Sequence, residues 1–297
     1  MKLFNTFMTA LTATTMVVGT ASCQKEEALD TSSGELLFTF AFDSTQERQN
    51  NLGQPSTIPA GHAAQSPKFN GISAHYIELS PNMYTPIGGG EVVYMGRETT
   101  LGGDKAVDFN QAVVAAEGDE FLRLSLEDIE PGVYEWIRVS LTYQNFDVDF
   151  RSNGLDLTGT IASFVGYNTY ITQHTVKNQT LTLNENRLQG YWAFELVDPV
   201  PIILDGQAPP GATTVPNPLF STSPIPQGSC LVTGQFAEPL VITGNEKGTL
   251  HIELSVSNNN SFEYTDPNGN GIYEPDLGET PVDMGTRGLI PKVILQP

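Results

Sequence analysis

The strongest constraint on the fold is an alternating segment that follows a proline–glycine turn at Pro131 and Gly132. Apolar side chains occupy every second position, and Trp136, Arg138, Ser140 and Thr142 stand between them. The apolar members are Ile137, Val139, Leu141 and Tyr143. A period of two places successive side chains on opposite faces of a strand. The segment therefore predicts a long β-strand with one buried face.

Tyr134 stands directly after this turn, at the start of the alternating segment. The arrangement resembles the tyrosine corner of immunoglobulin-like and transthyretin-like sandwiches, in which the tyrosine hydroxyl hydrogen-bonds to nearby backbone. The resemblance implies an all-β protein with a Greek-key β-sandwich, which extra strands can extend. It implies nothing about ligands, because one fold serves many functions.

Other strands are predicted wherever short apolar or aromatic runs are bounded by Pro, Gly or Asn. The first is the aromatic-rich run at residues 35–42. The others lie at residues 75–79, 91–95, 105–109, 120–126, 155–164, 169–174, 179–183, 191–197, 230–236, 239–243 and 249–256. No segment has a convincing helical period, so the sequence predicts an all-β chain.

Two segments rich in turn-forming residues interrupt this series. Residues 46–71 are predicted to form a long loop, and loops of that length are uncommon unless they carry function. Residues 198–229 hold eight prolines, too many for a strand ladder. They form either a linker to a small second domain or a crossover that returns residues 230–297 to the sandwich of residues 35–197. We favour the crossover, because about 68 residues could bury little apolar surface alone.

The N-terminal 22 residues have the layout of a cleaved secretory signal peptide. Lys2 precedes a weakly apolar run at residues 3–18, and small residues then lead to Cys23. The small residues before Cys23 resemble a bacterial lipobox. The sequence QKEE at residues 24–27 resembles the export tag of surface lipoproteins in Bacteroidetes-type bacteria. These resemblances imply a diacylglycerol on Cys23 that anchors the chain to the outer membrane, facing outward.

Removal of 22 of the 297 residues leaves 275, enough for one large all-β domain or two of ordinary size. Residues 23–34 are polar and are predicted to form a flexible tether. No later run approaches the ~20 apolar residues of a membrane helix, so the lipid is the expected membrane attachment. If Cys23 is acylated, Cys230 has no cysteine partner, and core packing or a metal must stabilise the fold.

Acidic side chains dominate the charge of the chain. The formal net charge is −20, and without the signal peptide 13 basic side chains face 34 acidic ones. Such a balance excludes nucleic acid as the expected partner. It suits a solvated extracellular surface or the binding of cations.

Residues 266–279, DPNGNGIYEPDLGE, have the spacing of a calcium-binding loop. Oxygen ligands at positions one, three and five, a glycine at six and a carbonyl at seven match the EF-hand type of loop. The residues at the four ligand positions are Asp266, Asn268, Asn270 and Ile272. The alternative is an Asn-Gly turn with solvated acids.

The end of this loop departs from the EF-hand pattern. Position twelve is Leu277, so the closing carboxylate is expected to be Glu279 after a two-residue insertion. Glu274 and Asp276 are further candidate ligands. Hard cations with several carboxylates mainly order loops, so we predict a structural calcium ion rather than a catalytic one.

Two histidines offer an alternative metal site. His62 lies in the long predicted loop and His75 opens the next predicted strand, so a copper site using both is conceivable. Residues 69–79, FNGISAHYIEL, together with the later Pro-Gly-x-Tyr strand, resemble the methanobactin-associated periplasmic copper-protein family over about residues 36–145. The resemblance implies copper handling but supplies no complete set of ligands.

Trp136 raises a third candidate, a carbohydrate-binding module. It is predicted on the polar face of its strand, where it could stack on a sugar ring or pack at a sheet edge. Trp192, by contrast, alternates with Phe194 and Leu196 and is predicted to lie in a core. We find no catalytic motif among hydrolase, metalloprotease, phosphate-loop and dithiol signatures.

Together these features predict a lipid-anchored protein of the cell surface. Its body is expected to be a calcium-stabilised β-sandwich that binds an unknown extracellular ligand or protein partner, or supports one structurally. The sequence predicts no enzyme activity.

Overall fold

The computed structural model describes residues 34–49, 55–208, 229–286 and 288–295. Throughout these ranges the chain is all-β, with eighteen strands and no α-helix. Three short 3-10 helices occur at Phe109–Gln111, Leu126–Asp128 and Pro275–Leu277. Within the same ranges, no helix has the length and apolarity required to cross a membrane. The predicted signal peptide, Cys23, nearly all of the tether and residues 209–228 of the proline-rich segment lie outside the described residues.

A seven-stranded sheet is built around β8 (Gly132–Ser152), the long strand that the alternating segment predicted. One side of β8 pairs with β3. Its other side pairs first with β14 and then with β9. The remaining order is β13-β12-β9 at one end and β3-β4 at the other. The bounds are β3 Lys68–Ser80, β4 Glu91–Met95, β9 Leu155–Phe164, β12 Tyr191–Leu196, β13 Ile202–Gln207 and β14 Cys230–Ile242.

A four-stranded sheet has the order β18-β15-β1-β7 and covers one face of the seven-stranded sheet. Its strands are β1 (Glu35–Asp43), β7 (Glu120–Ser125), β15 (Thr249–Ser257) and β18 (Leu289–Leu295). β1 pairs in parallel with β15, which joins the first and the late strands of the chain. Apolar side chains from both sheets form the main core. Its fully buried members include Phe38, Phe40, Ile77, Val139, Leu141, Ile252 and Leu254.

This face-to-face packing confirms the predicted all-β sandwich. The tyrosine corner is also confirmed, because the Tyr134 hydroxyl donates a 2.5 Å hydrogen bond to the carbonyl oxygen of Glu130. The immunoglobulin-like Greek-key order of the strands stays a prediction. Cys230 lies half-buried at the start of β14 and packs against the main core.

Two smaller sheets complete the architecture. One has the order β11-β10-β6-β5, from β5 (Glu98–Thr99), β6 (Ala106–Asp108), β10 (Asn168–Thr175) and β11 (Thr180–Leu188). A second core that includes Phe164, Ile171 and Tyr191 lies beside it. The other sheet has the order β17-β16-β2, from β2 (His62–Gln65), β16 (Phe262–Thr265) and β17 (Pro281–Met284). A third core joins Phe262 and Tyr264 to Phe146 of β8.

The structure corrects two of the predicted loops. Residues 46–71 include β2 and the start of β3. Gly71 lies inside β3, where a glycine fits because the segment that contains Val114 approaches it closely. A Cβ atom there would lie 3.0 Å from a side-chain carbon of Val114. Residues 202–207, predicted to belong to a proline-rich connection, form the edge strand β13, which contains no proline of its own.

A buried histidine connects stability to pH. His174 is 4% exposed, and neither ring nitrogen hydrogen-bonds to a described residue. Its ring lies against those of Phe164 and Tyr191. Burial lowers the pKa of His174 from 6.5 to about 4, although the nearby Asp205 opposes that shift.

Replacing His174 with Phe is therefore expected to reduce the loss of stability in mild acid. The unfolded chain binds a proton at His174 below pH 6.5, whereas the folded chain does so only near pH 4. The contribution of neutral His174 is thus complete above pH 6.5 and is lost as the pH falls toward 4, by roughly 2 to 3 kcal/mol. Urea unfolding of wild type and His174→Phe across this window, with chelator present, measures the difference. Parallel pH profiles would contradict the assignment.

Candidate metal centre

The loop with calcium-type spacing connects β16 to β17. Its two ends are held together because the Thr265 amide donates to the Thr280 carbonyl at 3.0 Å, and the Thr280 amide donates to the Thr265 hydroxyl at 2.9 Å. The amide of Asp266 also donates to the carbonyl of Gly61, just before β2, at 2.7 Å. The loop therefore begins and ends on the small three-stranded sheet.

Asp266, at loop position one, organises the first turn. Its carboxylate accepts hydrogen bonds from the amides of Gly269, Asn270 and Gly271 at 2.9, 3.2 and 2.9 Å. Gly269 and Gly271 have φ angles of 70° and 72°, values that side chains with a Cβ rarely adopt. The glycines thus allow successive amides to wrap round one buried carboxylate.

Positions three and five meet the carboxylate of Glu274. The side-chain nitrogens of Asn268 and Asn270 donate to Oε2 of Glu274 at 3.1 and 2.6 Å. The Tyr264 hydroxyl donates to the carbonyl of Gly271 at 2.9 Å and holds the middle of the loop. The structure therefore connects both asparagines to Glu274 by hydrogen bonds, and the calcium site itself stays a prediction. The contribution of Tyr264 had no local signal in the sequence.

Glu279 is the third buried acid of the loop. Asp266, Glu274 and Glu279 are 6%, 8% and 3% exposed. Oε2 of Glu279 accepts the amide of Glu274 at 2.7 Å, whereas Oε1 is buried and accepts no hydrogen bond from any described residue. Among the described residues, no lysine or arginine forms an ion pair with these three acids. A buried carboxylate without a cationic partner is costly, because burial removes its hydration.

The negative charge of the loop affects two tyrosines, Tyr264 just before it and Tyr273 within it. Burial, and then the charges of Asp266 and Glu279, raise the pKa of Tyr264 to about 12. Burial and the charge of Glu279 likewise raise the pKa of Tyr273 to about 12. Both phenols therefore stay neutral at physiological pH and do not add to the repulsion.

Asp276 lies outside the buried group. It is exposed, and its Oδ2 accepts the amide of Asn153 in the turn between β8 and β9 at 2.8 Å. The amide of Arg151 donates to the carbonyl of Tyr273 at 2.7 Å. These contacts fasten the loop to the end of the longest strand. Across the part of the chain that the structure describes, no three His, Cys, Asp or Glu side chains are grouped to hold a metal ion by themselves.

The two histidines of the copper alternative lie in different sheets. Nδ1 of His62 is 2.6 Å from Oε1 of Glu263 across the β2–β16 pair. His75 lies in β3, is 1% exposed and has its ring centroid 5.6 Å from that of Tyr167. Burial lowers the pKa of His75 to about 4. The copper site stays a prediction.

Trp136 is half-buried in β8, between Ser80 of β3 and Gln235 of β14. Its neighbour Ile137 is fully buried in the main core, as predicted, but the prediction of a single buried face was wrong, because Ser140 and Thr142 on the other face are buried as well. Sugar stacking on Trp136 stays a prediction.

Comparison of the chain with protein-family models, with curated proteins and with solved structures finds no match, including to any enzyme family.

A buried ion pair that sequence reasoning missed supports the base of the loop. Nη2 of Arg48 contacts Oε2 of Glu263, and both residues are less than 9% exposed. Arg48 also donates to the Ser56 hydroxyl at 3.0 Å and to the Asn260 carbonyl at 3.2 Å. Arg48 thus connects the segment before β2 to β16, the strand from which the calcium-type loop departs.

Replacing Arg48 with Met is expected to destabilise the protein by about 3–5 kcal/mol, because it leaves the Glu263 carboxylate buried without its cation. The double change Arg48→Met with Glu263→Leu is expected to recover much of this loss, since no unpaired charge then remains. Urea unfolding measures both variants. Lys292→Met, which breaks the exposed pair with Glu253, is the control and is expected to cost less than about 1 kcal/mol. A loss of similar size in all three variants would contradict this role.

Proposed function

We propose that this protein is a lipid-anchored binding protein of the cell surface whose β16–β17 loop is ordered by calcium. The observation that carries the calcium assignment is the burial of Asp266, Glu274 and Glu279 in one loop, with one oxygen of Glu279 buried and without a hydrogen-bond partner among the described residues. The acidic composition of the chain and the glycine positions of the loop agree with it. A divalent cation would compensate the charge that the described protein groups leave uncompensated.

The ligands in this proposal are oxygen atoms of mixed type, as calcium prefers. Carboxylates come from Asp266, Glu274 and Glu279, and a backbone carbonyl comes from Ile272. The side-chain oxygens of Asn268 and Asn270 accept the amides of Asn270 and Ile272 at 3.0 and 2.8 Å, and each would bind the ion through its remaining lone pair. Asp276 is left to hold the loop on the β8–β9 turn. The site therefore needs amide and carbonyl oxygens in addition to its acids.

The role that we propose for the ion is structural, and the role of the whole protein is binding rather than catalysis. The loop closes a small sheet of short strands whose aromatic side chains pack in the third core, so an ion there would order the loop that departs from this core. The ligand or protein partner is extracellular in this proposal, since the lipid on Cys23 would hold the body at the outer face of the membrane.

Calcium is expected to raise the melting temperature of the metal-free protein by several degrees. A dissociation constant of ~10⁻⁴–10⁻³ M, the range of extracellular modules, corresponds to about 1.4–2.7 kcal/mol in ~10 mM calcium. Glu279→Gln is expected to remove most of this gain. In chelator, the same variant should be at least as stable as wild type, because a neutral amide replaces an unpaired buried charge.

Glu279→Gln is thus expected to be less stable than wild type in calcium but at least as stable in chelator. If Glu279 had only a structural role, its replacement would destabilise the protein in both conditions. Asp104→Asn, which neutralises an exposed acid in the turn between β5 and β6, is the matched control and should keep the full calcium gain. Magnesium at equal concentration tests for nonspecific ionic effects. The calcium assignment fails if wild type and Glu279→Gln respond to calcium alike.

The anchor is tested separately. Expressed in a bacterium that lipidates exported proteins, the full chain is expected to partition into the detergent phase, and Cys23→Ser into the aqueous phase. Mass spectrometry of the N-terminal peptide should show a diacylglycerol on Cys23. An unmodified Cys23 in wild type would contradict lipid anchoring without affecting the calcium assignment.

A further inference from the structure

A groove of about 520 Å³ lies between the calcium-type loop and the end of the β8–β9 hairpin. Tyr264, Ile272 and Tyr273 line one side, and Phe150 and Leu157 continue the apolar lining from the hairpin. This volume falls within the ~300–1,000 Å³ of typical small-molecule sites. The groove is therefore large enough for a ligand of more than one sugar-sized ring.

Polar groups of both hydrogen-bonding kinds line the same groove. Oδ1 of Asp149 accepts the Thr158 hydroxyl at 2.7 Å, while Oδ2 accepts no hydrogen bond from a described residue. Nε of Arg151 donates to Oδ1 of Asp156 at 2.6 Å, which leaves both terminal guanidinium nitrogens without a partner among the described residues. A carboxylate acceptor and guanidinium donors thus line the same groove as apolar and aromatic residues.

The position of Asp149 is fixed by a neighbouring side chain. The carboxamide of Gln65 donates to the Asp149 carbonyl and accepts the Asp149 amide, both at 2.8 Å. On the far side of Phe150, the amide of Arg151 is held by the Tyr273 carbonyl at 2.7 Å. The polar groups of the groove therefore project from backbone that is already fully bonded, as a preorganised binding site requires.

From this arrangement we infer that the groove binds a neutral polyhydroxylated ligand, such as a segment of an oligosaccharide. Hydroxyl groups both donate and accept, so they match Arg151 and Asp149 together, and the C–H faces of a sugar ring suit the half-buried side chains of Ile272 and Tyr273. An anionic ligand would be repelled by two carboxylates, those of Asp149 and Asp156, and attracted by only one guanidinium, that of Arg151. A cationic ligand would leave the guanidinium donors of Arg151 without acceptors.

This inference deepens the proposed function and rests on it in one respect, the order of the calcium loop. Gly271, Ile272 and Tyr273 line the groove and also occupy loop positions six, seven and eight. The carbonyl of Ile272 is a proposed calcium ligand, so calcium would fix the same backbone that forms one side of the groove. Ligand binding is therefore expected to weaken when calcium is removed.

Affinity gel electrophoresis with soluble starch, a β-glucan, mannan and xylan tests the inference on the calcium-loaded protein. Wild type is expected to be retarded by at least one of these polysaccharides. Asp149→Asn and Arg151→Gln, which alter exposed or half-exposed side chains, are expected to weaken that retardation at least tenfold. Arg123→Gln is the matched control, because Arg123 makes a similar half-exposed pair with Glu120 on the four-stranded sheet.

The thermal response to calcium, measured on the same variants, separates the two proposals. Arg151→Gln should keep the calcium gain while losing polysaccharide binding. Retardation that persists in chelator, with no calcium gain, would overturn the calcium assignment and its link to the groove but leave the groove as the binding site. The inference about the groove is overturned if wild type binds none of the four polysaccharides, if spermidine displaces them, or if Asp149→Asn and Arg151→Gln bind as wild type does.

Discussion

Burial of β8 on both faces is the constraint on which the rest of the structure depends. Val139 and Leu141 face the main core, while Ser140, Thr142 and Gln144 are equally buried on the other face. Further along, the same strand contributes to the second and third cores. Because β3, β9 and β14 all hydrogen-bond to β8, an error in its register would displace apolar side chains in three cores at once. One strand thus fixes how the sheets are placed around it.

The way in which buried acids are compensated distinguishes the calcium-type loop from the rest of the molecule. Glu263 has Arg48, and Glu78 has Arg138 and the amides of Gly88 and Gly90. Glu195 accepts the amides of residues 177–179, and although burial opposes ionisation, these hydrogen bonds lower its pKa. The loop after β16 concentrates three buried carboxylates, and backbone and side-chain amides supply their only described donors. What distinguishes the loop from these other sites is the buried Oε1 of Glu279, which accepts no hydrogen bond from any described residue.

The features that the sequence could predict are those with a local signal. The existence of the long strand β8, the bounds of β4 and β9 and the tyrosine corner all depend on neighbouring residues. Short strands with few apolar residues, such as β2 and β16, were missed because adjoining elements provide their burial. Trp192 was predicted to lie in a core, but it is only half-buried, and its neighbours Tyr191 and Ala193 are the buried residues. The covered face of β12 depends on how this strand packs in the sheet beside β9, which no local pattern shows. The Arg48–Glu263 pair joins residues 215 positions apart, beyond the reach of any local pattern.

The parallel pairing of β1 with β15 has a consequence for biogenesis. Glu35 aligns with Ser125 of β7 on one side and with Thr249 of β15 on the other, so β1 gains its second neighbour only after β15 has been made. Contacts of such long sequence separation form slowly, and an unpaired strand edge is a template for aggregation. A truncated product ending before residue 249 would retain the aromatic side chains of β1 with no β15 beside them. The full hydrogen bonding of β1 therefore requires a chain that extends through β15.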